Sequence, residues 1–135
     1  MVKTFLFRGK TLEELKKISI EDFTRLLTSS ERRRLKRGLT EQHRKLLENI
    51  RKNPGKFHKT HVRDMVILPE MTGVKIGIYT GGSKKGDEGG KWASVVITPE
   101  MIGHRIGELG MTCKRVKHSS PGVGATRGSK HIPLK

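Results

Sequence analysis

The side chains able to do acid–base or nucleophilic work are scattered along this chain, not gathered. Asp64 and Glu70 flank an apolar run at 65–68, and neither has a partner set for general acid–base catalysis. His104 stands four residues from both Glu100 and Glu108, which suits a surface pair on a helix better than an acid and its base. Cys113 is the one cysteine. A thiol nucleophile needs a positioned base, and none accompanies it, so it reads as a small packing residue. His58 and His61 could ligate a metal, but no matching ligand pair lies elsewhere. These residues point to no catalytic centre, no metal and no cofactor.

Two glycine-rich stretches invite a nucleotide reading, and both fail it. A phosphate-binding loop needs Gly, four residues, then Gly-Lys and a hydroxyl. Gly90-Lys91-Trp92 supplies the Gly-Lys, but Lys85 sits where the first glycine belongs and Trp92 replaces the hydroxyl. Gly122-Val-Gly-Ala-Thr-Arg127 ends in arginine where a dinucleotide fingerprint needs glycine, and no strand precedes it.

What the sequence does concentrate is cation. Lys and Arg number 29 against 13 Asp and Glu, a formal charge of +16 on 135 residues. Charge of that size repels itself and implies a polyanionic partner, nucleic acid first and an anionic membrane surface second. The densest cluster, Arg32, Arg33, Arg34, Lys36 and Arg37, has Glu31 as its one nearby acid. On a helix, Arg32 faces Lys36 and Arg33 faces Arg37, each like-charge pair costing about 0.2–0.5 kcal/mol; a phosphate-binding helix explains that placement. In an extended segment Lys59, His61 and Arg63 point the same way, a row of donors for phosphates. From Leu109 to the end no acid occurs, while Lys114, Arg115, Lys117, His118, Arg127 and Lys130 do. One tryptophan, one tyrosine and four phenylalanines are too few for a base-stacking platform. Recognition is therefore expected through phosphates, 2′-hydroxyls and RNA shape.

The elements that would position these groups emerge from periodicity. Thr11-Leu-Glu-Glu14 is a capping box, with Leu12, Leu15 and Ile18 at helical spacing. Ser19 caps a second helix through Ile20, Phe23 and Leu27. Ser29 or Ser30 caps a third that ends near Gly38. Thr40 opens a fourth with Leu46, Leu47 and Ile50 on one face, closed by Asn53-Pro-Gly55. Alternation predicts strands at 74–79 and 92–97 around a glycine-rich hairpin loop at 81–90, and a third strand at 63–68. Thr98 and Pro99 open a short helix from which Met101, Ile102 and Ile106 face inward. Trp92 and Phe57 belong at the core or its edge. Apolar residues make up 33% of the chain, so the core is small. No apolar run is long enough for a signal-peptide core or a membrane span, and a single cysteine suits a reducing compartment.

Several of these runs resemble a known family. Lys59-Thr-His-Val-Arg-Asp-Met-Val-Ile-Leu-Pro-Glu-Met-Thr-Gly73, Gly77-Ile-Tyr-Thr-Gly81, Thr98-Pro-Glu-Met-Ile-Gly-His-Arg-Ile-Gly-Glu108 and Val116-Lys-His118 are similar to the S-nineteen family of small-subunit ribosomal proteins. Phe7-Arg-Gly9, the basic cluster at 32–39 and the terminal Pro121-Gly-Val-Gly-Ala-Thr126 and Ile132-Pro-Leu-Lys135 resemble its archaeal and eukaryotic branch. The resemblance implies an α+β fold: a small three-stranded sheet, mixed or antiparallel, packed with short helices. It divides the chain into a basic helical N-terminal extension at 1–56, an RNA-binding α+β core at 57–118, the part resembling the bacterial proteins, and an extended, flexible basic tail at 119–135.

The resemblance further implies a cytoplasmic, non-enzymatic place in the head of the small subunit. There the partners would be the 3′ domain of the ribosomal RNA and the neighbouring protein S-thirteen, with the tail near the decoding site and transfer RNA and an intersubunit bridge to the large subunit close by. The expected RNA-binding residues are Arg32, Arg33, Arg34, Lys36, Arg37, Lys59, His61, Arg63, Lys84, Lys85, His104, Arg105, Lys114, Arg115, Lys117, His118, Arg127 and Lys130. Lys84 and Lys85 lie in a loop that looks longer than in the bacterial proteins, so no contacts carry over to them. A DNA-binding module would need base-reading side chains on the 32–37 helix, where the sequence offers arginine and lysine that position rather than specify. A nuclease or RNA-modifying enzyme would need a clustered site that the chain lacks.

Overall fold

The computed structural model describes residues 5–81 and 92–113. The hairpin loop and the tail, with Lys84, Lys85, Lys114, Arg115, Lys117, His118, Arg127 and Lys130, lie outside these residues. So does the expected flexibility of the tail.

Four helices come first: α1 (Leu12–Lys17), α2 (Ile20–Leu26), α3 (Ser29–Lys36) and α4 (Glu41–Lys52). Local chemistry starts three of them. Thr11 Oγ1 accepts from the Glu14 N–H at 3.4 Å, and the Glu14 carboxylate accepts from the Thr11 N–H at 2.9 Å, the reciprocal box. Ser19 accepts from the Asp22 N–H and Thr40 from the His43 N–H. The third helix departs from expectation. Its N-cap is Thr28, which makes no side-chain capping bond, and Ser29 and Ser30 lie inside the helix. Leu27 stays extended and buries its side chain, so the next helix starts two residues after it, at Ser29. Gly38, at φ +91°, then supplies the left-handed residue that ends α3, its N–H bonding the Leu35 carbonyl.

The sheet has the order β1-β2-β3, from His58–Thr60, Lys75–Tyr79 and Trp92–Val96. β1 pairs parallel to β2 (His58 opposite Ile76) and β3 antiparallel to it (Val95 opposite Ile76), so the three-stranded sheet is mixed. The segment at 63–68 is not the third strand; β1 is. Met65, Val66, Ile67 and Leu68 are all at least 98% buried, and a run covered on both sides has no outward polar face to alternate with. Its backbone bonds instead to the segment at 103–107: Ile67 N–H to His104 O at 2.8 Å, Ile106 N–H to Met65 O at 3.0 Å, with one β-bridge between Val66 and Arg105.

Short 3₁₀ turns at Pro69–Met71, Pro99–Met101 and Ile106–Leu109 complete the described chain. Thr98 does not cap with its side chain, and it leads into a single 3₁₀ turn instead of the expected helix. Proline at the first position suits such a turn, but Gly103 at φ +85° redirects the chain before it can propagate. Ile102 and Ile106 do face inward, and Met101 is half-buried. One hydrophobic cluster runs from Leu15 and Phe23 through Leu46, Leu47 and Ile50 to Ile67, Ile76, Ile78, Ile97 and Ile106. The N-terminal helices and the sheet share that core.

Candidate nucleic-acid interface

The basic helix α3 carries half-buried Leu35 beneath it, which leaves Arg33, Lys36 and Arg37 exposed. Arg32, also exposed, donates from Nη2 to the Leu27 carbonyl at 2.9 Å. Arg34 is different. It is half-buried and its Nη2 pairs with Asp64. The other Asp64 oxygen lies 3.1 Å from Nε2 of His43, which is 2% exposed. Burial first, and then the charge of Arg34, hold His43 below its ordinary pKa of 6.5.

Arg105 reaches the same place from 75 residues away. Its Nη2 donates to Ser30 Oγ at 2.7 Å and lies 3.6 Å from Glu31. Between these groups opens a cleft of about 400 Å³ lined by Ser29, Ser30, Arg33, Arg34, Arg37, Asp64 and Arg105. Four guanidinium groups thus face one carboxylate, with a second carboxylate, Glu31, beside Arg105. A shallower cleft of about 340 Å³ lies along Ser29, Arg32, Arg33, Lys36 and Arg37. The structure therefore gathers Arg33, Arg34, Arg37 and Arg105, which lie in separate motifs of the sequence.

The second cluster is arranged differently from the expected row. β1 ends at Thr60. Lys59 and His61 are exposed and meet at Trp92, with Lys59 Nζ 5.8 Å from the ring centroid. His61 packs on Tyr79 at 4.4 Å and on Trp92 at 4.9 Å between centroids. Arg63 turns its guanidinium onto three backbone carbonyls: Tyr79 at 2.7 Å, Gly107 at 2.8 Å and Gly110 at 2.5 Å. Arg63 staples the end of β2 to the last described turn. Three of its N–H donors are thus turned inward onto backbone carbonyls of the fold.

His104 bonds Glu108 at 2.8 Å, the exposed surface pair that its spacing suggested. Asp64 and Glu70, which the sequence left without partners, hold Arg34 and Arg51 respectively, the latter through two bonds at 2.8 and 3.1 Å. Their roles were missed because their partners are distant in sequence. His43 alone left a local signal, since with Leu46, Leu47 and Ile50 it completes the inward face of α4. Among the described residues no group of His, Cys, Asp and Glu could hold a metal ion, and no helix is long and apolar enough to cross a membrane.

Comparison with known proteins gives a consistent result. The family model described as Ribosomal protein S19 matches residues 33–118. The matched residues begin inside α3 and include α4. A relative from Methanocella arvoryzae, named small ribosomal subunit protein uS19, is 45% identical over 131 residues, covering 97% of this chain and 87% of its own length. Another of the same name from Saccharolobus solfataricus is 44% identical over 138 residues, covering 98% and 93%.

Proposed function

The chain belongs to the Ribosomal protein S19 family, and from that premise we propose that it is an architectural, non-enzymatic component of the small ribosomal subunit that binds ribosomal RNA. The observation that carries the RNA reading is the convergence of Arg33, Arg34, Arg37 and Arg105 on one open cleft beside the exposed face of α3. Arginine forks match phosphate oxygens, and neutralised phosphates release counterions that drive binding. Arg32, Lys36 and Lys59 extend the cationic surface, and His61 and His104 stand on it as polar side chains. Lys84, Lys85, Lys114, Arg115, Lys117, Arg127 and Lys130 add charge from the loop and tail, with His118 as a further donor. Arg63 is set apart from them as a structural cation.

In this reading the ligand is the 3′ (head) domain of the small-subunit RNA and the protein neighbour is S-thirteen. The 119–135 tail runs toward the decoding site and transfer RNA, and the large subunit is reached across an intersubunit bridge. These placements rest on the family resemblance. The test is binding of the full chain to a 3′-domain transcript, with duplex DNA as competitor, followed by crosslink mapping on small subunits. With six to ten phosphates contacted, affinity falls about 10³–10⁵-fold between 50 and 200 mM salt. A flat salt response, or equal affinity for duplex DNA, would sink the reading.

A further inference from the structure

Within the RNA-binding reading, on which this inference rests, we propose that the cleft between α3 and Arg105 is a discrete pocket for one backbone phosphate of the RNA. The arginine cluster does not act there as a diffuse field.

Two of its four guanidinium groups are already oriented by the protein. Arg105 is held by Ser30 Oγ at 2.7 Å, and Arg34 is held by Asp64, itself anchored to the buried His43. Cations fixed before the ligand arrives lose little side-chain freedom on binding. The other two, Arg33 and Arg37, are exposed, and their side chains make no hydrogen bond or ion pair with any described residue. They stand at i,i+4 on α3, where their mutual repulsion is relieved by an anion between them. Arg34 Nε is also buried with no hydrogen-bond partner. Asp64, the carboxylate that lines the cleft, pairs with Arg34, and Glu31, outside the lining, lies against Arg105, which leaves Arg33 and Arg37 unneutralised.

The lining is polar, with serine hydroxyls and guanidinium donors and no aromatic wall for a base. The ligand chemistry it fits is therefore the phosphodiester, which accepts paired N–H donors from arginine forks. At about 400 Å³ the cleft is of a size for a phosphate with its attached sugar, entering from an open side.

A shared phosphate makes an unusual prediction about additivity. Full-length variants R33Q, R37Q, R105Q and the double variant R33Q/R105Q would be titrated with a labelled 3′-domain transcript from 50 to 200 mM salt. Arg25→Gln, an exposed cation outside the cleft, is the control. Each single variant is expected to bind more weakly and to lower the salt slope by about one, so that the wild-type advantage shrinks about threefold over that range. The double variant should lower the slope no further than a single one, because all three side chains serve one phosphate. Circular dichroism checks folding, and the exposed positions of Arg33 and Arg37 keep two variants informative if Arg105→Gln loosens the fold. Slope losses that add in the double variant, or that match the Arg25→Gln control, would overturn the pocket and leave the RNA reading standing. Wild-type protein with no salt-dependent RNA binding would overturn both.

Discussion

Asp64 Oδ1 lies 3.1 Å from Nε2 of His43, while Oδ2 pairs with Arg34. One carboxylate thus joins a buried residue of α4 to the cationic helix α3. His43 is held neutral there by burial and by the Arg34 charge. Because its folded pKa lies below 6.5, the unfolded chain takes up the proton first as pH falls. Its stabilising contribution is full above about pH 6.5 and is lost as pH drops through the folded value. The urea midpoint should therefore decline from pH 7.5 to 5.5, and His43→Gln, which can still donate to Asp64, should flatten that decline. An unchanged pH profile in the variant would refute this role for His43.

Arg63 holds the Tyr79, Gly107 and Gly110 carbonyls with one guanidinium. Arg63→Lys keeps the charge but cannot reproduce the fork. The expected loss is about 2 kcal/mol of unfolding free energy, in line with removal of charge-assisted bonds. The salt slope of RNA binding by the folded variant should not move.

Phe57 covers Gly77 on the face of β2 opposite the core residues Ile76 and Ile78. A Cβ at Gly77 would stand 2.5 Å from Phe57 Cζ, closer than carbon atoms approach. Gly77→Ala should cost about 1–3 kcal/mol through overpacking. Phe57→Leu in the same chain should restore part of it, as read from thermal denaturation of the two variants side by side.

Among the described residues, the buried cluster is assembled from positions between Leu15 and Ile106. Removing 119–135 should accordingly leave the unfolding free energy within about 0.5 kcal/mol of the full chain, the usual range for changes away from the core. RNA affinity should fall. A truncated chain that fails to fold would show that the tail contributes to the core.

Helices were legible where their causes are local. Thr11, Ser19 and Thr40 cap through atoms three residues away, so spacing alone revealed α1, α2 and α4. The Thr28 start of α3 was obscured by three consecutive hydroxyl residues, any of which could cap. β1 was missed because three residues give no usable alternation, and a parallel strand is defined by its partner at 76–78. The neighbouring 65–68 run looked more like a strand, although its backbone is satisfied by turns 40 residues on. Within the candidate site, sequence found the cations from charge density. It did not find which of them meet, since Arg105 and Ser30 are joined by tertiary packing alone, and Arg63 differs from Lys59 by the carbonyls around it.

The shared core also has a consequence for how the chain is made. A Cβ at Gly103 would fall within 3.3 Å of both Leu27 and Phe7, so the seat of α2 is formed by residues some 75 positions downstream. Helices of six to eight residues do not persist alone in water. During synthesis α1, α2 and α3 therefore emerge before anything exists to hold them, exposing Leu15, Phe23 and the full arginine cluster until residue 106 has been added. The nascent chain is at its most adhesive, to both apolar surfaces and nucleic acid, just before it becomes a folded protein.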